Sequence, residues 1–246
     1  MTSSRRSHRH RWPRAAVVGA TVLVSAACST GGQSQPRPTD HVDRVMAEQT
    51  AAATEDAVTT RRVTVSVIGD SFSAGSMNDV VWPDILAEEH DFAVTNASLG
   101  GAGYVAGDDY LGTFADQVPL ATDGEPSVIL VVGSENDADA DPSDVLSNAG
   151  DLYAELQERS PGSRIVVIGP IWSGGDVSDA MFDVDAAVET AALTAGLDYV
   201  DTLDAGWLAD PTIIQDDGDH PTDEGQYLLA GYIDDAVLGV DPDLLG

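Results

Sequence analysis

From Arg61 onward the chain alternates short, β-branched apolar runs with longer stretches of helical pattern, and this alternation restricts what it can fold into. Val63–Ile68, Phe92–Ala97, Ser127–Val132 and Arg164–Ile168 are continuous enough in apolar character to be strands buried on both faces, with a weaker fifth at Asp198–Val200. Between them the spacing predicts helices over Trp82–His90, Ser143–Arg159, Val184–Ala195 and Thr222–Val237. Strands that alternate with helices lie parallel and are covered by helices on both faces. The expected architecture is therefore α/β: a three-layer α/β/α sandwich around a central, mostly parallel five-stranded sheet. In such sheets the reactive groups gather outside the carboxyl ends of the strands.

The segment ahead of this domain has a different chemistry. Met1–Arg14 carries five arginines and no acid, and Ala15–Ala27 is apolar and small-residue rich, the pattern of a secretory signal peptide too short to span a bilayer. "LVSAAC" ends at Cys28, the sole cysteine, and resembles a bacterial lipobox with Ser25 where leucine is usual. A lone exported thiol can form no internal disulfide, and a lipid anchor on Cys28 accounts for it. Residues 28–60 are rich in polar and small residues, the composition of a flexible tether, with a short helix expected near Val42–Ala53. The expected organisation is a lipoprotein signal peptide over 1–27, a tether over 28–60 and one domain over 61–246. The protein is expected to be exported, held at the outer face of the membrane or secreted, and to act as a monomer.

The chain has a formal net charge of −31, and all 42 acids follow residue 27, where only six arginines remain. Such a surface repels phosphate backbones, which excludes nucleic acid as a partner. Surface hydration accounts for most of this charge.

"VTVSVIGDSFSAG", residues 63–75, delivers Ser71 three positions past the first strand. Most serines there only turn the chain. A nucleophile needs a base, a group that orients the base, and donors aimed at the developing oxyanion. Two histidines lie inside the domain. His90 ends a helix beside Glu88 and Glu89, where an exposed imidazole facing the helix's own last carbonyls is the ordinary reading. His220 stands in "QDDGDHPTDEG", with Asp217 three residues earlier and a helix starting past Pro221. One turn of chain can bring a carboxylate to one ring nitrogen while the other faces the serine. The competing reading is an acidic surface turn in which Asp219 or Thr222 caps the helix.

These blocks together resemble the SGNH (GDSL-type) hydrolase family: "GDS" at 69–71, "NASLGGAGY" after the second strand, an asparagine after the third, and D-x-x-H at 217–220. The resemblance spans about residues 63–237 and implies a flavodoxin-like sheet and a serine esterase or acyl hydrolase that needs no cofactor. It implies Ser71 as nucleophile, His220 as general base and Asp217 as its orienter. It places the oxyanion hole at the Ser71 and Gly101 N–H groups, with Gly100 as the alternative register, and at the Asn136 amide. Glycine suits that role because no side chain obstructs the approach to its N–H. The third block, "VVGSENDADAD", departs from the family's G-x-N-D, since Ser134 occupies the glycine position. The substrate class implied is a small ester, an acylated glycan or a lipid.

Rival motifs are weaker. Gly101, Gly103 and Gly107 imitate a dinucleotide-binding loop but miss its spacing by one residue. Asp137, Asp139 and Asp141 imitate half of a calcium loop, but Pro142 stands where its glycine belongs, and a solvated acidic loop leading into a helix is the better account. No metal site is expected from the acidic turns, because the domain lacks a second ligand-rich motif. Tyr104, Tyr110, Trp172 and Trp207 are candidates for a substrate pocket or for packing. A noncatalytic surface binding module that keeps this fold is the alternative function, supported by Ser134 alone.

Overall fold

The computed structural model describes residues 62–107 and 111–246. Cys28, the expected signal peptide, the expected tether with its helix, and Tyr110 lie outside the described residues. Five strands form the sheet: β1 (Thr64–Ile68), β2 (Ala93–Asn96), β3 (Val128–Val132), β4 (Arg164–Ile168) and β5 (Asp198–Val200). Their spatial order is β2-β1-β3-β4-β5, and every pairing is parallel. All five sit where the apolar runs place them, with ends trimmed by at most one residue.

Among the described residues, six α-helices connect and cover the strands: α1 (Ser71–Ala74), α2 (Trp82–Glu89), α3 (Phe114–Ala121), α4 (Pro142–Arg159), α5 (Asp179–Thr194) and α6 (Asp223–Val240). The period-two pleat divides β3 between two cores. Ile129 and Val131 pack with Phe114, Val118, Leu152, Leu156, Val184 and Val188, so α3, α4 and α5 cover one face. Val128, Leu130 and Val132 pack with Trp82, Leu86, Leu229, Ile233 and Val237, so α2 and α6 cover the other. The result is the expected three-layer sandwich, and its parallel sheet brings every strand's carboxyl end to one rim.

Two helices differ from expectation. The pattern does not reveal α3, because Pro119 lies inside it and removes one N–H from the ladder. A capping box nonetheless starts it: Asp116 Oδ2 accepts from the Thr113 N–H at 2.8 Å. α5 begins at Asp179 rather than Val184, since the Ser178 hydroxyl caps the Met181 N–H at 3.2 Å and recruits the first turn.

Candidate active site

The loop after β1 runs Gly69-Asp70-Ser71 and turns directly into α1. Asp70 is buried and caps α1, its Oδ1 accepting from the Phe72 N–H at 2.9 Å. Burial pushes its carboxyl up to about 6, against the opposing pull of the Ser134 hydroxyl and the Phe72 N–H. Gln117 of α3 grips the preceding peptide from below, accepting from the Gly69 N–H at 2.9 Å and donating to the Gly69 carbonyl at 2.8 Å. Gln226 of α6 grips the following one: its Nε2 donates to the Phe72 carbonyl at 3.0 Å and its Oε1 accepts from the Trp82 N–H at 2.9 Å. Both glutamines are fully buried, so Ser71 is carried on a turn whose backbone is fixed from both faces of the sandwich.

The last turn before α6 supplies the partner. A two-residue antiparallel bridge, Ile214 with Pro221, pinches its base, and Gly218 makes its tip at a φ of 81°. Asp217 Oδ1 accepts from the N–H groups of Asp219 and His220, each at 3.1 Å. Asp217 Oδ2 lies 2.9 Å from His220 Nδ1, and His220 Nε2 lies 2.9 Å from Ser71 Oγ. The Asp219 N–H, the imidazole and the His220 N–H together hold the Asp217 carboxyl below the usual carboxylate range. The edge-on contact with Phe72, ring centroids 6.0 Å apart at 70°, closes the ring's apolar side. Three segments that are distant in sequence thus meet in one line of hydrogen bonds.

The loop after β2 approaches from the other side. A Cβ on Gly100 would lie 3.9 Å from the Ser71 Cβ, while Gly101 adopts a φ of 77° that disfavours any side chain. Neither the Ser71 nor the Gly101 N–H donates to another of the described residues. Asn136 Nδ2 donates to the Ala102 carbonyl at 2.9 Å, with Ser134 Oγ at a marginal 3.5 Å. That bond anchors the asparagine against the Gly101 loop.

The rival motifs resolve into structure. Asp137 is not solvated: it is buried, and its carboxylate accepts from the consecutive N–H groups of Tyr104, Val105 and Ala106 at 2.7, 3.0 and 2.7 Å. The glycine-rich loop is therefore an anion nest occupied by the protein's own carboxylate. Gly103 is required there, since a Cβ would fall 2.5 Å from Asp137 Oδ2. Asp141 belongs to α4 instead, capping the Ser143 N–H at 2.9 Å. His90 does not face the carbonyls of α2 with its ring; its Nε2 meets Asp234 Oδ1 of α6 at 2.7 Å. Thr222, not Asp219, caps α6, through its bond with the Gly225 N–H at 3.2 Å. Among the candidate pocket aromatics, Tyr104 is buried and bonds Tyr153 through their hydroxyls at 2.7 Å, and Trp207 stacks on Tyr232 at 5.6 Å. Both are packing residues.

Residues 67–228 match the profile of the GDSL-like lipase/acylhydrolase family, a span that contains Ser71, Gly101, Asn136, Asp217 and His220. The chain belongs to that family. Like its other members it is a carboxylic ester hydrolase. A GDSL lipase of Mycobacterium tuberculosis is 30% identical over 182 residues, covering 69% of this chain and 79% of the relative. Among solved structures, TesA aligns with a TM-score of 0.61 at 19% identity, over 73% of this chain and 98% of that one. The psychrotrophic esterase EstA from Pseudoalteromonas sp. aligns at 0.60 and 18% identity, over 73% and 99%. A family two carbohydrate esterase from Clostridium thermocellum, solved with cellohexaose, aligns at 0.59 and 15% identity, over 75% and 66%. At those identities the structural likenesses speak to the fold.

Sequence reasoning overlooked the two buried glutamines of this GDSL-like site. Each does leave a signal: Gln117 stands on the apolar stripe of Phe114, Val118 and Ala121, and Gln226 on that of Leu229, Ala230 and Ile233. A polar residue at a core position of an amphipathic helix must have a buried partner.

Proposed function

We propose that this protein hydrolyses carboxylic esters through Ser71, His220 and Asp217 outside the cytoplasm, tethered to the membrane by a lipid on Cys28. The observation that carries the reading is the continuous relay from Ser71 Oγ to His220 Nε2 and from Nδ1 to Asp217 Oδ2, each step 2.9 Å. Ser71 Oγ attacks the ester carbonyl carbon while its proton passes to His220 Nε2. The alcohol leaves with that proton, and the acyl group remains on Ser71. Water then gives its proton to the same nitrogen as it attacks the acyl carbon, and the carboxylic acid departs as Ser71 recovers its hydrogen. Asp217 keeps Nδ1 protonated and the ring in line. The N–H groups of Ser71 and Gly101 and the amide of Asn136 receive the oxyanion. No step calls on a cofactor.

Acylated glycans, lipids and small esters are the substrate classes we favour. A lipase relative and a carbohydrate esterase neighbour support that range. A fluorophosphonate should label Ser71 in the wild-type chain and leave His220→Ala far less reactive; equal labelling of the two proteins would defeat the relay. Comparing p-nitrophenyl esters of short and long acyl chains with acetylated sugars tests the substrate range. Mass spectrometry of the mature N-terminus tests the anchor, and an unmodified Cys28 peptide would remove it.

A further inference from the structure

The relay leaves a second pair of acids unused. Glu135 opens the short 3-10 turn after β3 (Glu135–Asp137), and its carboxyl lies within hydrogen-bonding reach of Asp219, the neighbour of His220. Glu135 Oε2 also accepts from the N–H and the hydroxyl of Ser173, at 3.1 and 3.0 Å, on the segment after β4. Asp219 Oδ1 is buried and receives no N–H or hydroxyl of the described residues, while Asp219 Oδ2 stands 3.6 Å from His220 Nδ1. Two carboxyl groups in contact have no donor between them unless one carries a proton.

Among the described residues, no cation replaces that proton. The chain from residue 62 onward has three arginines and no lysine. Arg62 binds Asp91, Arg159 binds Glu155 and Arg164 binds Asp198. Among the described residues, the titratable groups around the pair are acids apart from His220: Asp217 on its turn, Asp70 at the start of α1, which feels Asp219, and Asp137 on the same 3-10 turn as Glu135. Ser173 is the contributor from the β4 side.

We propose that Glu135 is a positioning residue whose carboxyl shares one proton with Asp219, clasping the His220 turn to the loop after β3 and to Ser173. The inference rests on the reading of His220 as the general base. Burial first, and then Asp219, push the Glu135 carboxyl up to about 7. A carboxyl raised in the folded state binds more protons there than in the unfolded chain, so the clasp is complete below the ordinary carboxylate pKa and is lost as pH rises through about 7. Above it, two like charges face each other and the turn loosens. The imidazole must be neutral to accept a proton, which sets the opposite, acid limb.

The test compares kcat/KM against pH for the full wild-type chain, Glu135→Gln and Glu135→Ala on p-nitrophenyl acetate, after subtracting the Ser71→Ala background. Wild type should lose roughly ten-fold between about pH 6.5 and 8.5 as the shared proton leaves. Glutamine donates to Asp219 and accepts from Ser173 at any pH, so Glu135→Gln should lose most of that alkaline fall while keeping the acid limb. Glu135→Ala should be slower throughout. Superimposable profiles for wild type and Glu135→Gln would overturn the clasp. Infrared spectra of the Ser71→Ala chain, with and without Glu135→Gln, read the proton directly: a carboxylic C=O band that belongs to Glu135 and fades near pH 7 is expected, and its absence at acid pH would also overturn the proposal. Turnover retained by Ser71→Ala would instead sink the serine reading, and the infrared band would then decide the clasp alone.

Discussion

At the amino-terminal rim of the sheet the described arginines are paired with acids. Arg62 reaches Asp91 at 2.8 Å before β1, and Arg164 reaches Asp198 at 2.5 Å where β4 and β5 begin. At the carboxyl-terminal rim Asp70, Glu135, Asp137, Asp217 and Asp219 gather without an arginine among the described residues, of which His220 is the one there that can turn cationic. The first rim neutralises charge in exposed ion pairs, which are worth little to stability. The second satisfies its acids in other ways: N–H groups hold Asp217 and fill the nest around Asp137, and burial raises Asp70 and Glu135. What distinguishes the two rims is how each acid is satisfied. N–H groups aimed at a carboxylate favour its charged form, and burial disfavours it.

The sharpest way to break this contrast is Ser71→Ala. Ester hydrolysis should fall by about 10⁴-fold or more with an unchanged circular dichroism spectrum, as expected where the nucleophile of a relay is removed. Asp217→Asn comes next, costing up to roughly 10⁴-fold in kcat because the amide cannot hold the imidazole in the productive tautomer. Steady-state kinetics would show it, and a loss of only a few-fold would mean the turn orients His220 without its carboxylate. Gln226→Leu should destabilise the fold by about 1–3 kcal/mol, since it strands the Phe72 carbonyl and the Trp82 N–H in a dry interior, and urea titration measures it. The smallest effect belongs to the other rim. Arg164→Ala should change stability by less than about 1 kcal/mol and leave kcat/KM where it was, because its ion pair is half exposed and lies at the opposite end of the strands.

Much of this was legible in the letters, and for identifiable reasons. The strands appear because Val, Ile and Leu must be apolar on both faces of a covered parallel sheet. Ser71, Asp217 and His220 stood out because each lies in a short motif beside a turn-forming glycine, and the structure brings them together. α3 stayed hidden because an internal proline contradicts local propensity, and the capping box that outweighs it is a three-residue signal. Asp137 read as solvated because acids are usually exposed, and only the fold of the Tyr104–Ala106 segment shows three N–H groups waiting for it.

The division follows from range. Sequence alone determined what depends on neighbours a few positions apart: which runs become strands, four of the helices that cover them, and that the turn of His220 holds a carboxylate three residues away. Tertiary structure decided what depends on packing distant segments into one dry rim, namely that two glutamines from α3 and α6 would hold the serine turn and that Glu135 would face Asp219. Partnership between buried polar groups is settled by which backbone donors the fold leaves over, and no local pattern of residue types records that.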